Sequence, residues 1–216
     1  MRGRTAWTPA RGEPTVTLLL RHGQTPMSVQ KRYAGLSDVP LTDVGVRQAA
    51  AAGKRLASAG LAVIVTSPLA RAVRTAEEVA AATGAPVEAD EGFRETDFGA
   101  WDGLTFAEVS ERWPAEMTAW LADPAVAPPG GESFADVSTR VNLALRRVLA
   151  GHQGRTVLIV SHVTPIKMLV AAALLAPPPA LYRMHLDVAA LCQVDWYADG
   201  PAVLRSFNDT GYLPAE

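Results

Sequence analysis

Residues 16–25 read VTLLLRHGQT, an apolar run that stops at Arg21-His22-Gly23. A guanidinium and an imidazole thus stand side by side at the end of a strand-like segment. The glycine after them lets the backbone turn tightly and a ligand approach. Two other segments repeat the arrangement: residues 156–162, TVLIVSH, end at His162, and residues 61–71, LAVIVTSPLAR, run through a Ser-Pro turn to Arg71. Guanidinium forks match phosphate oxygens in a bidentate way. A neutral imidazole is a competent nucleophile towards phosphorus and can form a covalent phosphoenzyme. Two arginines and two histidines meeting at one point would form a strong anion site and stabilise charge on the equatorial oxygens of a phosphoryl group in transit.

Such a reaction also needs a proton for the departing alkoxide. Residues 93–103, FRETDFGAWDG, form an acidic, glycine-punctuated segment that should be an ordered loop. Glu95 is its best candidate, with Asp97 and Asp102 as rivals. A partly buried carboxyl beside phosphate resists ionisation. It can donate to the leaving group and afterwards take a proton from water.

The elements that must position these groups follow from pattern. Short β-branched runs bounded by turn signals suit strands buried on both faces of a parallel sheet, and ligands in such sheets bind outside the carboxyl ends of the strands. Thr42 can cap a helix from Asp43 to about Ala59, ended by Gly60. Ser67 and Pro68 read as the cap and first position of a helix that carries Arg71 and stops at Gly84. Residues 86–89 suit a short edge strand. Residues 104–121 suit one or two short helices broken near Pro114, with Trp113, Met117 and Trp120 at helical spacing as packing or lid residues. PPGGES at 128–133 is a turn leading into a helix that runs to about Ala150, with Ser133 and Asp136 resembling a capping box. A helix should run from about Pro165 to Leu175, and residues 187–197 and 202–207 should be strands joined at Asp199-Gly200. The alternation predicts an α/β fold: a three-layer α/β/α sandwich with a mostly parallel central sheet.

A chain of 216 residues suits one domain with a sizeable core. A net charge of −2 offers no global field for nucleic acid or an anionic membrane, so any cationic site is local. The one cysteine, Cys192, cannot form an intrachain disulfide, which points to a reducing, cytoplasmic setting, and its strand-like surroundings make it a core residue. No run approaches the length of a membrane span. Residues 1–14 carry three arginines but no apolar stretch, so they read as a flexible tail or linker remnant and not as a secretory signal. The histidines lack zinc-site spacing, so no metal or other cofactor is expected.

RHGQT, SPLARAVRTA, GFRETDFGAWDG, PGGES and IVSH, in this order from Leu18 to about Ser206, resemble the histidine phosphatase superfamily, with its phosphoglycerate-mutase-like fold. The resemblance implies His22 as the phosphorylated nucleophile, Arg21, Arg71 and His162 as the rest of the phosphate pocket, and Glu95 rather than Asp97 or Asp102 as proton donor. Many members carry Asn where this chain has Ser28, and Gln-Gly where it has Ala34-Gly35. Ser28 and Gly35 are therefore expected at the pocket in altered form. Arg32 matches a position that often supports it. RETDFGAWDGLTF and SHVTPIKML are similar to the phosphatase branch, especially the α-ribazole-5′-phosphate phosphatase-like domains, and no mutase-type set of basic residues follows Glu95. SHVTPIKM is also similar to the acid phosphatase domain of actinobacterial proteins that carry an RNase H domain in front. That implies a preceding RNase H-like domain in a full-length protein and no nuclease activity here. The expected partners are a small phosphomonoester substrate and inorganic phosphate as product, with no nucleic acid and no membrane. A mutase, or a non-catalytic module that binds phosphorylated ligands, is the alternative.

Overall fold

The computed structural model describes residues 11–214. The proposed tail falls mostly outside the described residues, and residues 11–14 have no regular structure. The core is a six-stranded sheet in the order β3-β2-β4-β1-β5-β6. Its strands are β1 (Thr15–Arg21), β2 (Leu61–Thr66), β3 (Val87–Ala89), β4 (Thr156–Ser161), β5 (Leu191–Trp196) and β6 (Ala202–Asp209). The first four in that order are parallel. β5 runs antiparallel to β1, and β6 antiparallel to β5. The sheet is α/β in class and mostly parallel at its centre.

Side-chain alternation along each strand builds two cores. Leu18 and Leu20 of β1 point to one face, with Ile64, Leu158 and Val160. That face is covered by α2 (Asp43–Leu56) and α3 (Ala70–Thr83) through small residues such as Ala52, Ala72 and Ala76. Leu19 points the other way, with Val63, Val65, Val157 and Ile159. There the cover is α6 (Phe134–Gly151) and α7 (Val163–Ala173), with α4 (Phe106–Arg112) and α5 (Pro114–Ala122) beyond them; a single turn, α1 (Pro26–Val29), follows β1. Strands buried on both faces explain why the sequence shows continuous apolar runs there and not alternation.

Caps mark several helix starts where the sequence places them. The Thr42 hydroxyl accepts from Gly45 N, and Ser133 forms a reciprocal capping box with Asp136. Gly84 closes α3 at φ 72°. Several boundaries differ, among them the end of α2 at Leu56 instead of about Ala59. α3 begins at Ala70 with Leu69 as its uncapped start, three residues after Ser67, whose hydroxyl accepts from Leu69 N at 3.3 Å and also meets His162 Nε2 at 2.7 Å. α7 begins at Val163, two residues before Pro165, because His162 itself occupies the N-cap. β5 begins at Leu191, since Leu186 O and Asp187 N are taken by the side chains of Arg21 and Asn208 instead of by the backbone of a neighbouring strand.

β4 lies between β1 and β2, so three carboxyl ends are adjacent. Arg21 pairs with Ser161 in register, His22 N donates to Ser161 O at 3.0 Å, and Ser67 N donates to Val160 O at 2.9 Å. The turn after His22 then passes against the start of α2. A Cβ on Gly23 would overlap the Gly45 carbonyl, and one on Gly45 would overlap the Gln24 carbonyl. This mutual close approach determines where the imidazole at 22 is held. Gly45→Ala adds about 1 kcal/mol of helix propensity but forces backbone apart. We expect a net loss of about 1–3 kcal/mol, read as a lower urea midpoint with unchanged slope; a gain in stability would refute this account.

Candidate active site

His22 is buried, and its Nδ1 lies 2.8 Å from the Gly23 carbonyl oxygen. A carbonyl only accepts, so Nδ1 carries the proton and Nε2 presents its lone pair. Burial first, then the charges of Arg21 and Arg71, hold its pKa well below the usual 6.5; the Gly23 contact opposes this only in part. The ring is thus neutral near pH 7.

His162 packs beside it, the ring centroids 5.1 Å apart. Its Nε2 is 2.7 Å from the Ser67 hydroxyl. A hydroxyl that donates to Nε2 places the His162 proton on Nδ1, where it can be offered to an anion. His162 is also held well below 6.5, by burial first and then by His22, Arg71, Arg21 and Arg140.

Arg21 is buried enough to bring its pKa down to about 10, with Glu95 and Asp187 pulling the other way. It remains a cation at neutral pH. Its Nη1 donates to Leu186 O at 2.7 Å. Arg71 is wholly buried and its pKa is lowered, mainly by burial, against the pull of Glu95 and other carboxylates. Its Nη1 donates to Ser37 O at 2.8 Å, and its Nη2 to Ala34 O at 2.9 Å and Gly35 O at 2.8 Å. Among the described residues, Arg21 Nε, Arg71 Nε and His162 Nδ1 are buried with no hydrogen-bond partner. An unpaired buried donor costs on the order of 1–3 kcal/mol, more when charged. Three in residues whose charge or ring bears on His22 mark a place built for an acceptor-rich anion.

A cavity of about 390 Å³ opens from this point, with Arg21, His22, Ser28 and Glu95 on its wall. Arg71, Gly35 and His162 are not lining residues: His162 lies behind His22, while Arg71 and Gly35 join the 34–37 loop to α3. The Ser28 hydroxyl is committed to a capping box with Thr25, accepting from Thr25 N at 2.9 Å and donating to Thr25 O at 2.8 Å. Arg32 reaches the wall, but its Nη1 is held by Glu108 at 2.9 Å and Gly103 O at 2.8 Å.

The three acidic candidates separate cleanly. Asp97 accepts from Gly99 N at 2.9 Å and shapes a turn. Asp102 accepts from Gly35 N at 3.0 Å and from the Ser37 hydroxyl at 2.7 Å, holding the loop that faces Arg71. Glu95 alone lines the cavity, buried, with Oε1 accepting from Thr96 N at 2.8 Å.

Sequence reasoning missed the clamp behind Glu95. Arg140 Nη1 donates to Gly92 O at 3.0 Å and Arg94 O at 2.8 Å, and Nη2 to Glu95 O at 2.8 Å. Glu132 of the PGGES turn grips the same guanidinium at 2.7 and 2.9 Å. Arg140 is one of several arginines on α6, and nothing in one sequence distinguishes it. Lys167 was also missed, although Val163 and Lys167 stand four apart on α7 and both line the cavity; that spacing was the available signal. Met117 and Trp120 pack in the core as expected, and Trp120 also reaches the cavity wall. Cys192 is a buried core thiol, pushed up to about 11 by burial. Among the described residues no helix is long and apolar enough to cross a membrane.

Comparison with known proteins agrees with this architecture. Residues 17–210 match the family model of the histidine phosphatase superfamily (branch 1). A bifunctional protein of Mycobacterium tuberculosis is 53% identical over 208 residues, covering 96% of this chain but only 57% of that protein. A probable phosphoglycerate mutase of Citrobacter koseri is 36% identical over 205 residues, covering 91% of this chain and 94% of that one. The structure of a mycobacterial glucosyl-3-phosphoglycerate phosphatase in complex with VO3 superposes with a TM-score of 0.83 at 32% identity, covering 91% of this chain and all of that one. The chain belongs to the histidine phosphatase superfamily.

Proposed function

We propose that this chain is a metal-independent phosphomonoester hydrolase, an acid phosphatase that works through a phosphohistidine at His22. The observation that carries this reading is the bare Nε2 of a neutral, buried imidazole among buried donors without partners. In the first step Nε2 attacks phosphorus, the P–O ester bond breaks, and Glu95 gives its proton to the departing alkoxide. In the second, water attacks the same phosphorus and the P–N bond breaks. Glu95 takes the proton of that water and inorganic phosphate leaves. Arg21, Arg71 and His162 stabilise the equatorial oxygens in both transition states. For Arg71 this asks only Nε and its remaining N–H, since its other donors hold the 34–37 loop.

A mutase would share the first step and return the phosphoryl group to a second acceptor. The cavity favours the hydrolase. Among the described residues its wall carries, besides Arg21, Lys167 as one unpaired cation, since Arg32 is neutralised by Glu108; a single ammonium holds a second strongly anionic group less firmly than a set of basic residues would. The resemblance of SHVTPIKML to α-ribazole-5′-phosphate phosphatase-like domains supports a phosphatase of that kind. The 57% share of the mycobacterial relative leaves room in a longer protein for the proposed RNase H-like partner domain. The single buried thiol supports a cytoplasmic setting.

The decisive experiment is to quench turnover in alkali and locate phosphorus by mass spectrometry. It should be on His22, and His22→Ala should abolish both label and turnover; label on another side chain, or none, would overturn the proposal. Glu95→Gln should slow esters of poor leaving groups at least tenfold more than p-nitrophenyl phosphate, and kcat/KM should fall as pH rises above neutrality.

Arg140 serves as a positioning residue. Arg140→Met leaves Glu132 with only Arg94, at 3.8 Å, and frees the 92–95 carbonyls, so stability should fall by about 2–4 kcal/mol. Because it acts through Glu95, kcat should fall for alkyl esters with KM changed little, and Arg140→Lys should recover part of the loss.

His22 and His162 give a pH signature. Their folded pKa values lie below the unfolded 6.5. Below about pH 6.5 the unfolded chain therefore binds protons that the folded one refuses, and stability falls as pH falls. Each imidazole contributes up to about 1.4 kcal/mol per pH unit. Imidazole NMR should find both rings neutral at pH 6; a ring that is half protonated there would contradict the burial argument.

A further inference from the structure

The reaction proposed above makes no use of Asn208, the next-to-last residue of β6. Leu191 and Gln193 of β5 pair with Asp209 and Ser206, so β6 uses one more residue than β5 across this stretch. That extra residue is a β-bulge, and a bulge re-aims the side chain it carries. Asn208 stands within it at φ 55°, a left-handed conformation that Asn tolerates better than most residues with a Cβ. Its side chain meets the segment that precedes β5. Asn208 Oδ1 accepts from Asp187 N at 2.7 Å, and its Nδ2 donates to Asp187 Oδ2 at 2.9 Å. One amide thus fixes both the backbone and the carboxylate of Asp187.

Residues 186–190 in turn hold the end of β1. Leu186 O accepts from Arg21 Nη1 at 2.7 Å, Ala190 O from Arg21 N at 3.1 Å, and Ala189 N donates to His22 O at 3.0 Å. Of these three bonds only the first reaches a side chain, so the direction of the guanidinium depends on Leu186 O. That oxygen and Asp187 N belong to the same peptide group, which is planar. Asn208 grips one edge of this plane and Arg21 the other. The Asp187 carboxylate is occupied as well, Oδ2 by Asn208 and Oδ1 by His185 Nε2 at 2.8 Å. It therefore acts on the Arg21 cation through its charge, while Arg21 Nε keeps no partner among the described residues.

We propose, resting on the hydrolase reading above, that Asn208 is a positioning residue for phosphoryl transfer. Through the peptide that joins Leu186 to Asp187 it sets the plane of the Arg21 guanidinium, and it holds the Asp187 carboxylate away from the donors that an anion needs. Asn208 does not line the cavity, so its effect reaches the reaction through Arg21. Loss of the amide lets the peptide tilt and the guanidinium swing with it. Arg21 stabilises the equatorial oxygens in both steps, so this loss falls on all esters alike. A loss through Glu95 would instead fall on poor leaving groups.

Asn208→Gly removes the amide and leaves the left-handed backbone at 208 unstrained, so it isolates the side chain. In protein with nitrogen-15 arginine, Arg21 being assigned through Arg21→Lys, the two Nη signals of Arg21 should be separate in the wild type and merge in Asn208→Gly. Per folded molecule, kcat should fall about tenfold for glycerol 3-phosphate and p-nitrophenyl phosphate alike, with KM changed less than about threefold. Asn208→Asp sets two carboxylates against each other and should lose at least as much. The exchanged pair, Asp187→Asn with Asn208→Asp, rebuilds both hydrogen bonds and should return to within about threefold of the wild type. The signals come from folded molecules, so a less stable variant does not mimic the effect. Nη signals already merged in the wild type or still separate in Asn208→Gly, a loosened Arg21 with turnover unchanged, or an exchanged pair no better than Asn208→Asp would each overturn the proposal and leave the hydrolase intact. Should the wild type turn over no ester, the hydrolase reading fails, and affinity for inorganic phosphate replaces kcat: binding at least about threefold weaker in Asn208→Gly upholds the positioning role, and equal binding overturns it.

Discussion

The structure depends on an excess of buried positive charge at the carboxyl ends of three adjacent strands. Arg71 is wholly buried, Arg21 is partly buried with its Nε out of water, and both are placed to act on one imidazole. Their field and the low polarity around His22 make a protonated ring unfavourable, so the ring stays neutral with a free lone pair. Arg21, Arg71 and His162 each keep a buried donor without a partner. The site thus carries a standing electrostatic cost that an acceptor-rich anion would relieve.

Holding such charge together requires neutral and anionic scaffolding at its edges. The loop carbonyls of 34, 35 and 37 absorb three of the Arg71 donors, and Asp102 fixes that loop from the other side. Arg140, gripped by Glu132, gathers the carbonyls of 92, 94 and 95. Two of the glycine-rich motifs thus serve electrostatics indirectly. PGGES brings Glu132 to Arg140, and RHG lets the chain pass tightly against α2 so that His22 meets His162. A carboxylate or carbonyl misplaced by an ångström would neutralise the cup instead of supporting it.

The two halves of the cavity obey different physics. The end at His22 is polar and built largely from strand termini, which the sheet holds rigidly. The outer end is aromatic and comes from loops, a helix and a short turn, elements whose positions depend on packing with one another. Residues 101–134 supply Trp101, Trp120 and Phe134 to one aromatic cluster that serves both core and wall.

Strand-end chemistry was legible because it is local. A continuous apolar run followed by Arg-His-Gly or by His encodes a buried strand and the group at its end, so the α/β class and the central strands could be read from the sequence. Glu95 was separated from Asp97 and Asp102 only by the family resemblance. Of the expected site residues, Arg21, His22 and Glu95 share the cavity wall while Arg71 and His162 stand off it. Thr42 and Ser133 were legible for the same reason, since a cap acts within four residues. What only the tertiary structure decided lies in contacts across long separations. Ser67 reads locally as a helix cap, yet its hydroxyl binds His162 95 positions away. Ser28 reads as a phosphate contact and closes its own turn. Arg71 sends its donors to a loop more than thirty residues earlier, and Arg140 reaches Glu95 across 45. Local propensity is written in neighbouring side chains, whereas a buried donor takes whichever acceptor the packed fold brings within reach, and that choice exists only once the chain has closed.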